Sequence, residues 1–340
     1  MKFSSFMHEW LYGDNGYYAQ KRTIGKEGDF YTAVSTSMFF GGSIANRLLK
    51  TIQSGFLSRN CCVVEIGAHK GYLLADMIQF IYTLQPELLS TLTFIIVEPF
   101  SENQRMQREY FEEAFGEAIH LQHVSSLEDI NVAEAFFVAN EIFDAFACEV
   151  IMNESMLYME DNEAIFRPMD EMTKSKALEY GITKGELCLG YEPFALQMAS
   201  AAQKFEFISF DYGDKEPRHD ISLRVYASHQ VYPFFGLTHL VDERLREEVC
   251  MQELFGRSDI TYDVCFSHLI YAFEKAGVSL HQYASQMRAL IDFGLIELLE
   301  LYARNVSEKL YEHEKNRIKT LIDPSFMGER FKMVCFRKGE

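Results

Sequence analysis

At 340 residues, with 48% apolar and 24% charged side chains, the chain is long and apolar enough for a sizeable core, which excludes global disorder. Fifty acidic residues against 32 basic ones leave a net charge of −18, which repels phosphate backbones, counts against a nucleic-acid partner and favours a cationic one. No segment approaches the roughly eighteen uncharged apolar residues that a membrane-spanning helix needs.

In chain order, His8 and Glu9 interrupt the apolar N-terminus before a signal-peptide core forms, and Trp10 is expected to pack an N-terminal helix. Met38, Phe39, Ile44, Leu48, Leu49 and Ile52 recur at helical spacing over 38–52. An alternation of strands and helices follows. Cys61–Ile66 reads as a buried strand, then a glycine turn and a helix from Tyr72 to about Leu84. Thr93–Val97 is a second strand, after which Ser101 can cap a helix running to about Phe115. Ile119–Val124, Ala135–Ala139 and Phe205–Phe210 are three more strands, and Phe331–Arg337 closes the series. Continuous apolar runs alternating with helices imply a parallel sheet covered on both faces. Two stretches interrupt it: a hairpin over Met156–Phe166, around Asp161-Asn162, and two or three helices within 285–320. With no repeat or linker, one unit with insertions is expected: an extension over 1–58, then a core over 59–340 interrupted near 151–205 and 285–325. The seven cysteines include no Cys-x-x-Cys pair, so reduced thiols in a cytoplasmic protein are expected, with no metal site.

In an open α/β sheet, ligands bind outside the carboxyl ends of the strands. Those ends read Glu65-Ile66-Gly67-Ala68-His69-Lys70-Gly71, then Glu98, then Asn140-Glu141, then Asp211-Tyr212-Gly213. Gly67 and Gly71 allow backbone to approach a ligand, and Glu98 lies where an acidic residue accepts ribose hydroxyls. This suits an adenosine-containing cofactor, either a nicotinamide dinucleotide or S-adenosylmethionine. His69 obstructs the close pyrophosphate approach of G-x-G-x-x-G, whereas Glu65 suits a sulfonium cation. From Glu109 to Phe166 there are fourteen acidic residues and no Lys or Arg. Glu141 and Asp144 fall in that stretch at a strand exit, where carboxylates can hold a cationic side chain. His120 and His123 would point to opposite faces of a strand, which argues against a shared metal.

These residues resemble the MidA-like S-adenosylmethionine methyltransferase family, which includes a mitochondrial complex I assembly factor. The ordered series is Phe6-Met7, Leu11-Tyr12, Gly16-Tyr17-Tyr18, Gly28-Asp29-Phe30-Tyr31-Thr32, Phe40-Gly41, Ile44-Ala45 and the Glu65–Gly71 turn with Leu73-Leu74 and Asp76. It continues through Glu98, Gln104, Asn140–Ala145, Asp211-Tyr212-Gly213, Asp259-Ile260-Thr261, Ser285-Gln286, Met327-Gly328 and Phe331-Lys332. The resemblance implies a class I, Rossmann-like α/β fold: a mostly parallel seven-stranded sheet with the last strand antiparallel, an N-terminal helical extension, and hairpin and helical insertions. Val264–Ala276 would then be the fifth crossover helix and Val278–Tyr283 strand six. It also implies methylation of protein arginine, in the mitochondrial branch on a respiratory complex I subunit. S-adenosylmethionine would lie against Gly28, Asp29, Glu65, Gly67, His69, Gly71, Glu98 and Asn140, while Asn140, Glu141 and Asp144 would serve the acceptor. Three positions depart from the family pattern: His69 replaces the middle glycine of the turn, Val34-Ser35 replaces Pro-Glu, and Thr261–Phe266 lacks the usual histidine. A degenerate relative acting as a binding or assembly factor, and a nicotinamide-dependent oxidoreductase, remain as alternative readings.

Overall fold

The computed structural model describes residues 1–19, 32–161 and 163–339, so the candidate positions Gly28 and Asp29 lie outside the described residues. The chain divides into two units, each assembled from separated stretches. A sheet unit comprises Thr32–Glu141, Phe194–Tyr212 and Phe273–Glu340, and a hairpin unit takes the N-terminal residues with Ile142–Pro193 and Gly213–Ala272.

The sheet unit contains β1 (Cys62–Ile66), β2 (Thr93–Val97), β3 (Leu121–Val124), β4 (Val132–Asn140), β5 (Ala202–Asp214), β6 (Ser279–Ser285) and β7 (Phe331–Lys338). Their spatial order is β6-β7-β5-β4-β1-β2-β3. The inner pairs are parallel, and β7 runs antiparallel to both β5 and β6. This is the expected class I arrangement. Consecutive residues Val63, Val64, Glu65 and Ile66 are all buried, as a strand covered on both faces requires. One cover is the helix Tyr72–Leu84, whose buried Leu73, Leu74, Met77, Ile78 and Ile81 recur at 3.6-residue spacing.

Element boundaries differ from the sequence reading where polar residues flank an apolar run. β4 starts three residues before Ala135, and β5 extends over Ala202–Asp214, because Val132 and Glu134 pair with Ala202 and Lys204 at the polar rim. Ser101 does not cap its helix: it is the first helical residue, and Phe100 occupies the cap position without a side-chain bond. Three helices fill the late insertion: Gln286–Asp292, Leu295–Ala303 and Glu308–Ile322.

In the hairpin unit, Ser155–Glu160 and Glu163–Pro168 form the expected hairpin. They belong to a four-stranded antiparallel sheet with Glu149–Met152 and Lys184–Leu187, two strands too short to stand out in the sequence. A second sheet joins Gln230–Pro233, Arg224–Ala227 and Asp259–Thr261. The N-terminal helix is Phe3–Tyr12; Trp10 is buried there and donates its indole N–H to Ser258 O at 2.7 Å. At the end of β5, Gly213 has φ +150°, and a Cβ there would lie 2.1 Å from Val264 O. Only glycine permits that close strand pairing. All seven cysteines are free thiols, and no described helix is long and apolar enough to cross a membrane.

One buried ionic cluster fastens β5 and β7 to the helix Phe39–Gln53. Glu206 is fully buried and receives Arg47 Nε at 2.7 Å and Nη2 at 2.8 Å. Arg337 Nε adds a bond at 2.8 Å and Thr51 Oγ1 one at 3.1 Å. Burial alone would raise the Glu206 carboxyl, but the two guanidinium partners outweigh it and hold its pKa below the usual value. Glu206→Ala leaves both arginines without their carboxylate, so urea denaturation should register a loss of about 3–5 kcal/mol at neutral pH. Because the folded pKa is depressed, the wild-type contribution exists above the ordinary glutamate pKa and disappears as pH falls through the folded value. The gap between the two proteins should therefore narrow in acid.

Candidate functional site

The site begins with strand register. Ile66 on β1 pairs with Val97 on β2 and with Ala139 on β4. The next residues, Gly67, Glu98 and Asn140, therefore leave the sheet side by side, with adjacent strands about 4.8 Å apart. The chain passes from β1 to β2 on one side, while β4 lies on the other, which makes this edge the topological switch point of the sheet.

The turn after β1 is left-handed at three places: Gly67 (φ 71°), His69 (φ 47°) and Gly71 (φ 81°). Gly71 N donates to Ala68 O at 2.7 Å, and a Cβ on Gly71 would meet the Phe111 ring at 2.8 Å. His69 thus occupies the left-handed region that favours glycine. A non-glycine residue held there costs on the order of 1–3 kcal/mol. Its carbonyl receives Gln107 Nε2 at 2.7 Å, a part-buried hydrogen bond that offsets part of that cost. Glu65 faces inward, accepting Leu74 N at 3.1 Å at the start of the following helix. Burial pushes its pKa up to about 8, against a smaller opposing effect from that hydrogen bond.

Glu98 is also buried and its pKa is raised, first by burial. Its Oε1 accepts Phe100 N at 3.0 Å, and its backbone O accepts Gln104 Nε2 at 2.7 Å. Gln107 approaches Glu98 Oε2 at 3.5 Å, and its own Oε1 lies 2.9 Å from His123 Nε2. The sequence reading missed Gln107. Its one signal was an amide one helical turn before the apolar Phe111, on the face the helix buries.

At the exit of β4, Glu141 is left-handed (φ 53°), and its N–H donates to Phe210 O at 2.8 Å. Glu141 Oε1 accepts Asn140 Nδ2 at 2.7 Å and Ala33 N at 3.4 Å. Asn140 Oδ1 is buried and has no hydrogen-bond partner among the described residues. Ala33 opens a short helix, Ala33–Thr36, capped reciprocally by Thr32 and Ser35, so Ser35 serves here as a cap where the family pattern has a carboxylate. Arg317 holds this helix from its far end through Thr36 O at 2.5 Å. Asp144 belongs to the hairpin unit, where it is buried and its backbone O accepts Tyr262 N at 3.2 Å. Among the described residues no group of His, Cys, Asp and Glu could hold a metal ion.

Gly67, His69, Gly71, Glu98, Asn140 and Glu141 therefore share one strand edge. A left-handed turn with a carboxyl at the next strand end, and an amide acceptor with no partner, fit an adenosyl ligand that carries an amino group. A class is defined here: a Rossmann-like, S-adenosylmethionine-dependent methyltransferase. The chain belongs to the family described as "Putative S-adenosyl-L-methionine-dependent methyltransferase", whose sequence model matches residues 43–284. It is similar to a Drosophila melanogaster protein named "Protein arginine methyltransferase NDUFAF7 homolog, mitochondrial", at 22% identity over 95% of this chain and 78% of that one. Its fold matches a Burkholderia thailandensis crystal structure solved with S-adenosyl-homocysteine, with a TM-score of 0.80, 23% identity, and coverage of 99% of this chain and 88% of the other. A second, native crystal structure of a COG1565 superfamily protein from the same organism gives a TM-score of 0.78 at 23% identity, covering 99% of this chain and 87% of the other. These matches bear out the MidA-like resemblance and S-adenosylmethionine as the cofactor of the family, in place of the nicotinamide reading.

The raised pKa of Glu65 has a consequence for stability. Between the ordinary glutamate pKa and about 8, the folded state keeps a proton that the unfolded state has lost, so stability falls as pH rises through that window. The slope from this one group reaches at most about 1.4 kcal/mol per pH unit. Glu65→Gln removes it, and denaturation curves from pH 5 to 8 should be flatter for the variant than for the wild type.

Proposed function

We propose that this methyltransferase transfers a methyl group to an arginine side chain of a protein. The observation that carries the reading is the Asn140-Glu141 pair, which offers a carboxylate and an adjacent amide oxygen at the exit of β4. Similarity to a named protein arginine methyltransferase along almost the whole chain supports it, as does the acidic stretch from Glu109 to Phe166.

When bound, the cofactor supplies a methyl group already activated on a sulfonium sulfur. The Gly67–Gly71 backbone, Glu98 and Asn140 are the residues that would hold it. A guanidinium is protonated near neutral pH and must lose a proton as its nitrogen gains a methyl group. Glu141 is suited to orient the guanidinium and to receive that proton. Its Oε1 is already fixed by Asn140 Nδ2 and Ala33 N, so little side-chain freedom remains to be lost when the acceptor binds. Asn140 Oδ1 can accept an N–H from the acceptor or from the cofactor. His69 is left-handed, a conformation open to glycine, which supports an intact turn over a degenerate one.

The test incubates the purified protein with tritiated S-adenosylmethionine and a lysate from a strain lacking its gene, followed by mass spectrometry of the labelled material. Label on ω-N-methylarginine is expected, with a respiratory complex I subunit as the first protein to inspect. Label on nucleic acid or on a small molecule would refute the arginine reading. Glu141→Gln should leave cofactor affinity near the wild-type value while lowering the transfer rate by about a hundredfold, the scale of a lost general base.

A further inference from the structure

We propose that Gln107 is a positioning residue for the cofactor turn, and that His123 supplies the donor its amide oxygen needs. The proposal rests on the reading of the Glu65–Gly71 turn as part of the cofactor site.

Gln107 is fully buried on the helix Ser101–Phe115. Its Nε2 donates to His69 O at 2.7 Å and lies 3.5 Å from Glu98 Oε2, while its Oε1 lies 2.9 Å from His123 Nε2. One side chain therefore ties the turn after β1 to the exit of β2 and to β3. An amide has two faces of nearly equal shape, and a half-turn exchanges its donor for its acceptor. Reversed, Gln107 would set its oxygen against His69 O and the Glu98 carboxyl, which are both acceptors. Those two acceptors hold the amide in the observed sense, and His123 completes the arrangement from the other side. Burial, with a smaller effect from Arg108, lowers its pKa to about 4, so at neutral pH the ring is uncharged and carries one N–H. With both Gln107 N–H groups directed at the turn and at Glu98, Oε1 must accept, and the His123 proton sits on Nε2. His69 gives the bond a second task. As a non-glycine residue held left-handed, it is steadied by the hydrogen bond from Gln107 to its carbonyl.

The experiment titrates S-adenosylhomocysteine into the full-length protein by calorimetry, with melting temperatures measured in parallel. Gln107→Leu keeps the volume and removes the donor, and the dissociation constant should rise about tenfold, the scale of one buried hydrogen bond. His123→Phe leaves the Gln107 amide oxygen without its donor and should cost about threefold, whereas His123→Gln restores a donor and should bind within about twofold of wild type. The Gln107→Leu/His123→Phe pair should bind no more weakly than Gln107→Leu alone, because the histidine acts only through the amide. Where Gln107→Leu does not fold, Gln107→Glu replaces it, since the isosteric carboxyl also removes the donor to His69 O. The proposal is overturned by Gln107 variants that bind within about twofold of wild type, by losses that add independently across the pair, or by His123→Gln and His123→Phe behaving alike. A wild-type chain that does not bind S-adenosylhomocysteine overturns the reading of the site and the proposal together, whereas unchanged binding in the variants overturns the proposal alone.

Discussion

The site depends on the hydrogen-bonded register that places β1 between β2 and β4. Ile66, Val97 and Ala139 stand opposite one another, and that alignment is what brings Gly67, Glu98 and Asn140 to the same edge. Parallel strands about 4.8 Å apart leave little freedom in the spacing of these groups. A slip of one residue in β4 would carry Asn140 and Glu141 to the wrong height and turn Phe136 and Val138 out of the core cluster that includes Val63 and Ile208. Core packing and site geometry are therefore one constraint, enforced by apolar burial along the middle of the inner strands.

Backbone strain falls where that constraint meets the ligand edge. Among the described residues, six other than glycine have positive φ: His69, Glu141, Asn153, Asp161, Ser228 and His229. The last four sit in or beside the turns of antiparallel hairpins, where such angles are the normal way to reverse a chain. His69 and Glu141 have no such explanation. They follow β1 and β4, the two strands on either side of the switch point, and each is held by polar partners from distant parts of the chain. Gln107 secures the first; Asn140, Ala33 and Phe210 secure the second. Strain that the surroundings over-determine is what a preorganised ligand edge requires.

Much of this was legible in the sequence, and the division has a physical cause. The runs around Val64, Ile95, Phe137 and Ile208 announce strands because burial on both faces demands unbroken apolar residues. The turn residues Gly67 and Gly71, and the polar groups just past each run, announce the ligand edge. What the sequence concealed are contacts between residues far apart whose types are common at any surface. Glu206 looks like a solvated glutamate until Arg47 and Arg337 close on it, and Gln107 looks like one more polar residue of a charged helix. The short strands Glu149–Met152 and Lys184–Leu187 have too few residues to display a period, and only their antiparallel pairing defines them.

Two of the residues that depart from the family pattern carry defined local roles. At position 69 the histidine is held left-handed, at an energetic cost that Gln107 helps to offset. At position 35 the serine cannot supply the charge of a glutamate. It instead donates and accepts within the Thr32–Ser35 cap, which fixes the start of the helix whose first N–H, on Ala33, meets Glu141 Oε1. Arg317 holds the other end of that helix through Ser35 O and Thr36 O. Three stretches of chain, around Ala33, Asn140 and Arg317, therefore converge to define one carboxylate.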